Sequence, residues 1–218
     1  FAYLGLALFM SVSLGLELRD RTTNLEATTS DLQKEIERRA KTESAIRHIA
    51  AGVSSETGGP FFQHLTLELA KLFSADYAFI GVLDERKTNT ISTLAVSAHG
   101  KLADNMNYPL ESTPCALVVG QHTCVHPQGV CELFPEDQLL RDMGVDSYIG
   151  TPLFDAAGQP LGLIVVLDSK PMQDTAMITD ILEIFAARAA AEIQRLRAEG
   201  NIRRMAYQDY LTGLANRA

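Results

Sequence analysis

Apolar and polar positions divide the chain into stretches of different period. Phe1 to Leu16 carries no charge and only two serines. As a helix it would be about 24 Å long, short of the roughly 30 Å of a bilayer core. It gives way abruptly to Glu17, Arg19, Asp20 and Arg21, with no small-residue cleavage site between. We therefore expect residues 1–16 to be the C-terminal part of a transmembrane helix that begins before Phe1; a buried helix or a signal-peptide core is the rival. Arg19, Arg21 and Lys34 favour a cytoplasmic continuation. From Glu17 onward no proline or glycine interrupts the chain until Gly52. Leu18, Leu25 and Leu32 fall seven apart, Thr22 and Thr29 take the alternate seam positions, and Ile36, Ile46 and Ile49 lie further along. This half-polar seam predicts a coiled-coil helix over residues 17–53, paired with a second copy of the chain rather than left as a solvated single helix.

"SSETGGP" then breaks the pattern, and a helix restarts over Phe61–Phe73 with Phe62, Leu65, Leu69, Leu72 and Phe73 on one stripe. "ADYAFIGVLDE" and "NTISTLAVSAHG" read as two strands joined by a short polar turn. Residues 101–144 are irregular. Within them Thr113-Pro114 looks like a cap and first position of a short helix, "HTCVHP" is extended, and "FPEDQLLRDMG" is a second short helix closed by Gly144. "SYIGTPLFD" and "LGLIVVLD" flank the turn "AAGQP" as a second hairpin. Asp174 caps a long helix with Ile178, Leu182, Phe185, Ala189 and Leu196 on a heptad seam. Ile181 and Ile184 form a neighbouring stripe suited to a sheet, and Gly200-Asn201 is expected to be a hinge.

Strand pairs joined by tight turns, with no crossover helix inside them, predict an α+β fold around a central antiparallel sheet. Helices at 61–73 and 175–197 would cover one face and the irregular middle the other. The organisation expected is a membrane stub (1–16), a coiled-coil helix (17–53), a compact domain (54–173), a second signalling helix (174–208) and the opening of another unit (209–218).

Composition narrows the function classes. The 218 residues carry a net charge of −8, and no basic face is available to neutralise phosphates, so nucleic acid is excluded as a partner. Three cysteines, Cys115, Cys124 and Cys131, are too few and odd in number for a disulfide framework. They cluster with histidines as His122-x-Cys124-x-His126, which raises a metal or haem site as a minority alternative. On a strand these side chains share a face, but His122 and His126 would then lie about 13 Å apart. At most two of them, joined by Cys115 or Cys131, could meet one zinc. No metal or cofactor is required. Cys115 falls in the first turn of a short helix, where the dipole would lower a thiol pKa and allow a redox role; an inert, buried cysteine is the alternative. His48, His64 and His99 read as ordinary solvated or satisfied histidines.

Three stretches carry a family resemblance. The segments "HIAAGVSSETGGPFFQHLTLELAKLFSADYAFIGVLDE" and "STPCALVVGQHTCVHPQGVCELFPEDQLLRDMGVDSYIGTPLFDAAGQPLGLIVVLDSKPM" together resemble a GAF domain. "DYLTGLANRA" is similar to the D-x-L-T-G-L-x-N-R lead-in of GGDEF domains, the diguanylate cyclases that join two GTP into cyclic di-GMP. The resemblance implies the regulatory sensor of a membrane-bound bacterial diguanylate cyclase, with the GAF domain on the cytoplasmic side of the inner membrane. The chain would then be a fragment, without the metal-binding carboxylate and Gly-Gly-Asp/Glu turn of the cyclase core, and not itself an enzyme. The resemblance also implies a homodimer and an unknown small ligand held between the sheet and the segment from Tyr108 to Tyr148. Phe79, Cys115, Cys124, Tyr148 and Thr151 are the candidate ligand contacts. The rival readings are the input module of a GGDEF–phosphodiesterase hybrid, a redox or haem sensor, and a dimerisation adaptor with a filled interior.

Overall fold

A computed structural model describes residues 19, 21, 25–26, 28–40, 42–47, 49–50, 56–84, 87 and 89–207, with backbone alone over 201–207. The expectations for the membrane segment, for Leu18 and Thr22, and for residues 209–218 lie outside these. Among the described residues no helix is long and apolar enough to cross a membrane.

The chain divides into two units, one to Ser44 and one from Ala45. The first is helical over 28–40. Leu25, Leu32 and Ile36 each stand more than half exposed on it, at spacings of seven and four. Glu35 pairs with Arg38 (3.1 Å) and Arg39 (2.8 Å) on the same helix. The two guanidiniums hold its carboxyl at about 2.

In the second unit the elements run in the order α1 (Gly59–Phe73), β1 (Tyr77–Leu83), β2 (Thr90–Ala98), β3 (Lys101–Ala103), β4 (Asn107–Pro109), α2 (Cys115–Val118), β5 (Cys124–His126), α3 (Val130–Leu133), α4 (Gln138–Met143), β6 (Ser147–Phe154), β7 (Pro160–Asp168) and α5 (Thr175–Tyr207). The sheet order is β3-β2-β1-β7-β6-β5, with β4 also paired to β2. Every pairing is antiparallel. The α+β sheet predicted from the hairpins is thus present. The middle segment, however, is less irregular than its sequence suggested, because β3, β4 and β5 are strands of that sheet.

Local chemistry sets the element ends. Gly58 enters α1 with φ 70°, and Pro60 in the first turn gives up an amide that would have no helical partner. Asp137 caps α4 by accepting from the Leu140 amide (3.1 Å), and Gly144, at φ 65°, ends it. Thr113 does not cap α2. Its hydroxyl turns back to the Leu110 carbonyl (2.7 Å), and Pro114 occupies the cap position. The expected hinge at Gly200-Asn201 is also absent: α5 runs unbroken to Tyr207.

One face of the sheet is covered by α1, α5 and the helical residues Ala45, Ile46 and Ile49, the other by the middle segment. The α5 residues read as a dimer seam, Ile178, Leu182, Phe185 and Ala189, are buried in the first of these cores, and Leu196 packs against it. Each large side chain among them gains about 1.5–3 kcal/mol there, so that stripe serves the sheet. Ile181 is buried beside them, but Ile184 is 46% exposed, which corrects the expectation that both lie on the sheet. Ile46 and Ile49, also read as seam, pack into the same core.

Candidate functional site

The buried face beneath the middle segment gathers four of the five candidate contacts. β1 supplies Phe79, β4 supplies Tyr108, α2 supplies Cys115 and β6 supplies Tyr148, all buried in one cluster, with Cys124 of β5 packed against it. The Phe79 and Tyr108 rings meet edge to face, 6.0 Å between centroids. The hydroxyls of Tyr108 and Tyr148 both donate to the Cys115 sulfur, at 3.3 and 3.4 Å. Tyr148 is fully buried, and its ring folds back along β6 over Gly150. A Cβ at Gly150 would collide with that ring and its hydroxyl, so only glycine fits there.

This environment reverses one expectation. Burial pushes the Cys115 thiol up to about 11, against the smaller lowering by its two tyrosine donors. A four-residue helix has too little dipole to overcome that desolvation. Burial also raises both tyrosines well above their ordinary range. At neutral pH the cluster is a neutral thiol clasped by two neutral phenols.

The His122-Cys124-His126 cluster does not assemble as one face. Cys124 and His126 lie on β5, where the thiol sulfur is 3.2 Å from His126 Nε2. The His126 ring also rests on Phe134 (5.4 Å) and Tyr148 (6.2 Å). Burial lowers the His126 pKa and raises that of Cys124, so both groups stay neutral. His122 precedes the strand and lines a different surface. Cys131 instead donates to the Val145 carbonyl (3.0 Å). Among the described residues no three His, Cys, Asp or Glu side chains are grouped to hold a metal ion, and all three cysteines are free thiols.

Thr151 is the candidate that parts from the others. Side chains alternate along β6, so Tyr148 faces the middle segment while Ile149, Thr151 and Leu153 face the helices. There Thr151 lines a groove of about 420 Å³ together with Gln121, His122, Thr123, Pro152 and Phe154 and, from α5, Glu183, Ala186 and Ala187. The groove exists because β5 pairs with β6 only as far as Gly150. Beyond that point β6 has no strand on its outer side among the described residues, and the groove lies there between β6, residues 121–123 and α5. Sequence reasoning missed most of this lining. The available signal was Pro152 inside a strand, a mark of an edge.

A family model described as the GAF domain matches residues 59–193, more than half of the chain. The chain belongs to the GAF family. The fold is also similar to the GAF domain of a phosphoenolpyruvate-protein phosphotransferase from Coxiella burnetii, at 17% identity and a TM-score of 0.60, covering 74% of this chain and 98% of that one. The free methionine-R-sulfoxide reductase of Neisseria meningitidis, solved with its substrate, matches with a TM-score of 0.59 and 18% identity over 72% of this chain and 91% of that one. A hybrid signal transduction histidine kinase from Dictyostelium discoideum is 22% identical over 142 residues, 65% of this chain. The chain spans only 12% of that kinase's length. The GAF match takes in both sheet faces, the Tyr108–Cys115–Tyr148 cluster and the groove.

Proposed function

We propose that this GAF domain is the regulatory sensor of a membrane-anchored, dimeric diguanylate cyclase, and that α5 carries its output. The observation that carries the reading is the path of α5. Its buried stripe fixes it to the sheet, and its backbone continues as helix to Tyr207, directly before the GGDEF-like lead-in "DYLTGLANRA". A diguanylate cyclase must bring two GTP-loaded subunits face to face, so positioning governs its rate. A rod anchored on a sensor domain at one end is suited to setting that position. Exposed Leu25, Leu32 and Ile36 supply the seam on which two copies pair. The similarity to a segment of a signalling kinase supports a regulatory rather than a catalytic role for the domain itself. Membrane anchoring rests on the apolar run Phe1–Leu16.

The test uses the complete protein. Purified with its downstream domain, it should convert GTP to cyclic di-GMP. Replacing Leu32 and Ile36 together by aspartate should reduce both dimer content and turnover at least tenfold at equal subunit concentration, because two buried seam leucine-type contacts are worth several kcal/mol. No cyclic di-GMP synthesis under any condition contradicts the cyclase reading, and full activity from a monomer contradicts the dimer.

A further inference from the structure

The groove beside α5 holds a combination of groups that the packing of the domain does not use. Thr123 Oγ1 lies 3.3 Å from Thr151 Oγ1 and 3.5 Å from Glu183 Oε1. Thr123 has one hydroxyl proton and two acceptors in reach, and the longer distance is poor for an O–H···O bond. Glu183 has no cationic partner among the described residues, whereas Glu192 on the same helix holds Arg195. Arg188, the nearest cation along α5, lies over the Phe61 ring at 5.3 Å instead. Thr151, only 3% exposed, presents its hydroxyl from the floor of the same groove. The rest of the lining is apolar or small at Pro152, Phe154, Ala186 and Ala187, with the exposed polar side chains of Gln121 and His122 on the loop beside them. A volume of about 420 Å³ lies in the range of small-molecule sites, which pair an apolar wall with a few placed polar groups.

We propose that this groove binds a small molecule bearing a protonated amine on an apolar body. The ammonium sits between the Glu183 carboxylate and the Thr123–Thr151 hydroxyl pair, where it satisfies both acceptors. The body lies along Pro152, Phe154 and Ala187. An anion is disfavoured by Glu183, and a purely apolar ligand leaves the carboxylate and the buried threonine as they are. The site is on the helix side of the sheet, opposite the Tyr108–Cys115–Tyr148 cluster. It touches the β6 edge and α5 together, so occupancy ties the helix to the sheet. That regulatory consequence rests on the reading of α5 as the output; binding does not.

Calorimetric titration of the chain with phenethylamine, n-hexylamine and the neutral isostere 2-phenylethanol tests it. Both amines should bind saturably with one site per chain, and the alcohol about tenfold more weakly, the usual scale for losing one charge-assisted contact. Glu183→Gln should weaken the amines by a similar factor and leave the alcohol unchanged. Ala187→Phe, which fills the groove from an exposed position, should abolish binding of all three, while Ala191→Phe, one turn further along α5, should not. Absence of saturable amine binding overturns the proposal, as does amine binding that survives both Glu183→Gln and Ala187→Phe. If Ala187→Phe instead changes the oligomeric state by light scattering with no amine effect, a second copy occupies the groove and the proposal is also overturned. Amine binding that obeys the predicted pattern without altering cyclic di-GMP synthesis contradicts the output reading and leaves the site intact.

Discussion

Two residues decide how firmly the domain is held at its centre and its entrance. At the centre, Cys115 accepts from the buried hydroxyls of both Tyr108 and Tyr148. Cys115→Ala deprives both donors of that acceptor, and should cost about 2–4 kcal/mol in denaturant unfolding. Because its thiol is buried and pushed up to about 11, Cys115 should resist iodoacetamide at neutral pH while Cys124 and Cys131, partly exposed, react; mass spectrometry of the alkylated chain reads this out. At the entrance, Glu192 accepts from the Gly58 amide ahead of α1 and from Arg195. The Arg195 bond, then the Gly58 bond, hold its pKa below the ordinary value of 4.5. A depressed carboxylate stabilises the fold fully above its unfolded pKa and loses that contribution as pH falls through the folded one. Glu192→Gln should therefore cost about 1 kcal/mol near neutrality, discounted for the partly exposed Arg195. The gap in melting temperature between the two proteins should close on acidification below the ordinary glutamate range.

Elements explain what the sequence could and could not reveal. Hairpins, turn glycines and the α1 stripe were readable because each depends on neighbours a few residues away. Four of the five candidate contacts share one buried face, Cys115 from α2 and Phe79, Cys124 and Tyr148 from three strands, but the sequence named them only by their position near the middle segment. Thr151 is not on that face, which depends on counting alternation from Tyr148 along a strand whose phase the sequence leaves open. The heptad of α5 misled in a more general way. Ile178, Leu182, Phe185 and Ala189 make one apolar stripe, and periodicity gives the stripe without saying whether a sheet or a second helix covers it. The exposed Leu25, Leu32 and Ile36 differ from them in that nothing among the described residues of their own unit covers them. Aspartate at Leu32 should accordingly lower the dimer fraction in sedimentation equilibrium while changing the melting of the GAF domain by less than about 0.5 kcal/mol, as for a surface site. An unchanged dimer fraction, or coupled loss of the domain, contradicts that division of labour.

On the scale of the whole molecule, the proposed output makes α5 a rigid link whose rotational phase sets downstream geometry. An α-helix turns about 100° per residue, so five inserted residues rotate the downstream domain by about 140° and seven by only about 20°. The two insertions differ little in length. The direct measurement is the rate of cyclic di-GMP synthesis by the complete protein carrying either insertion after Arg197, compared with the uninserted protein. A phase-setting α5 predicts that seven residues preserve most of the rate and its response to effectors, while five reduce or invert that response. Equal rates and responses from both insertions would contradict it.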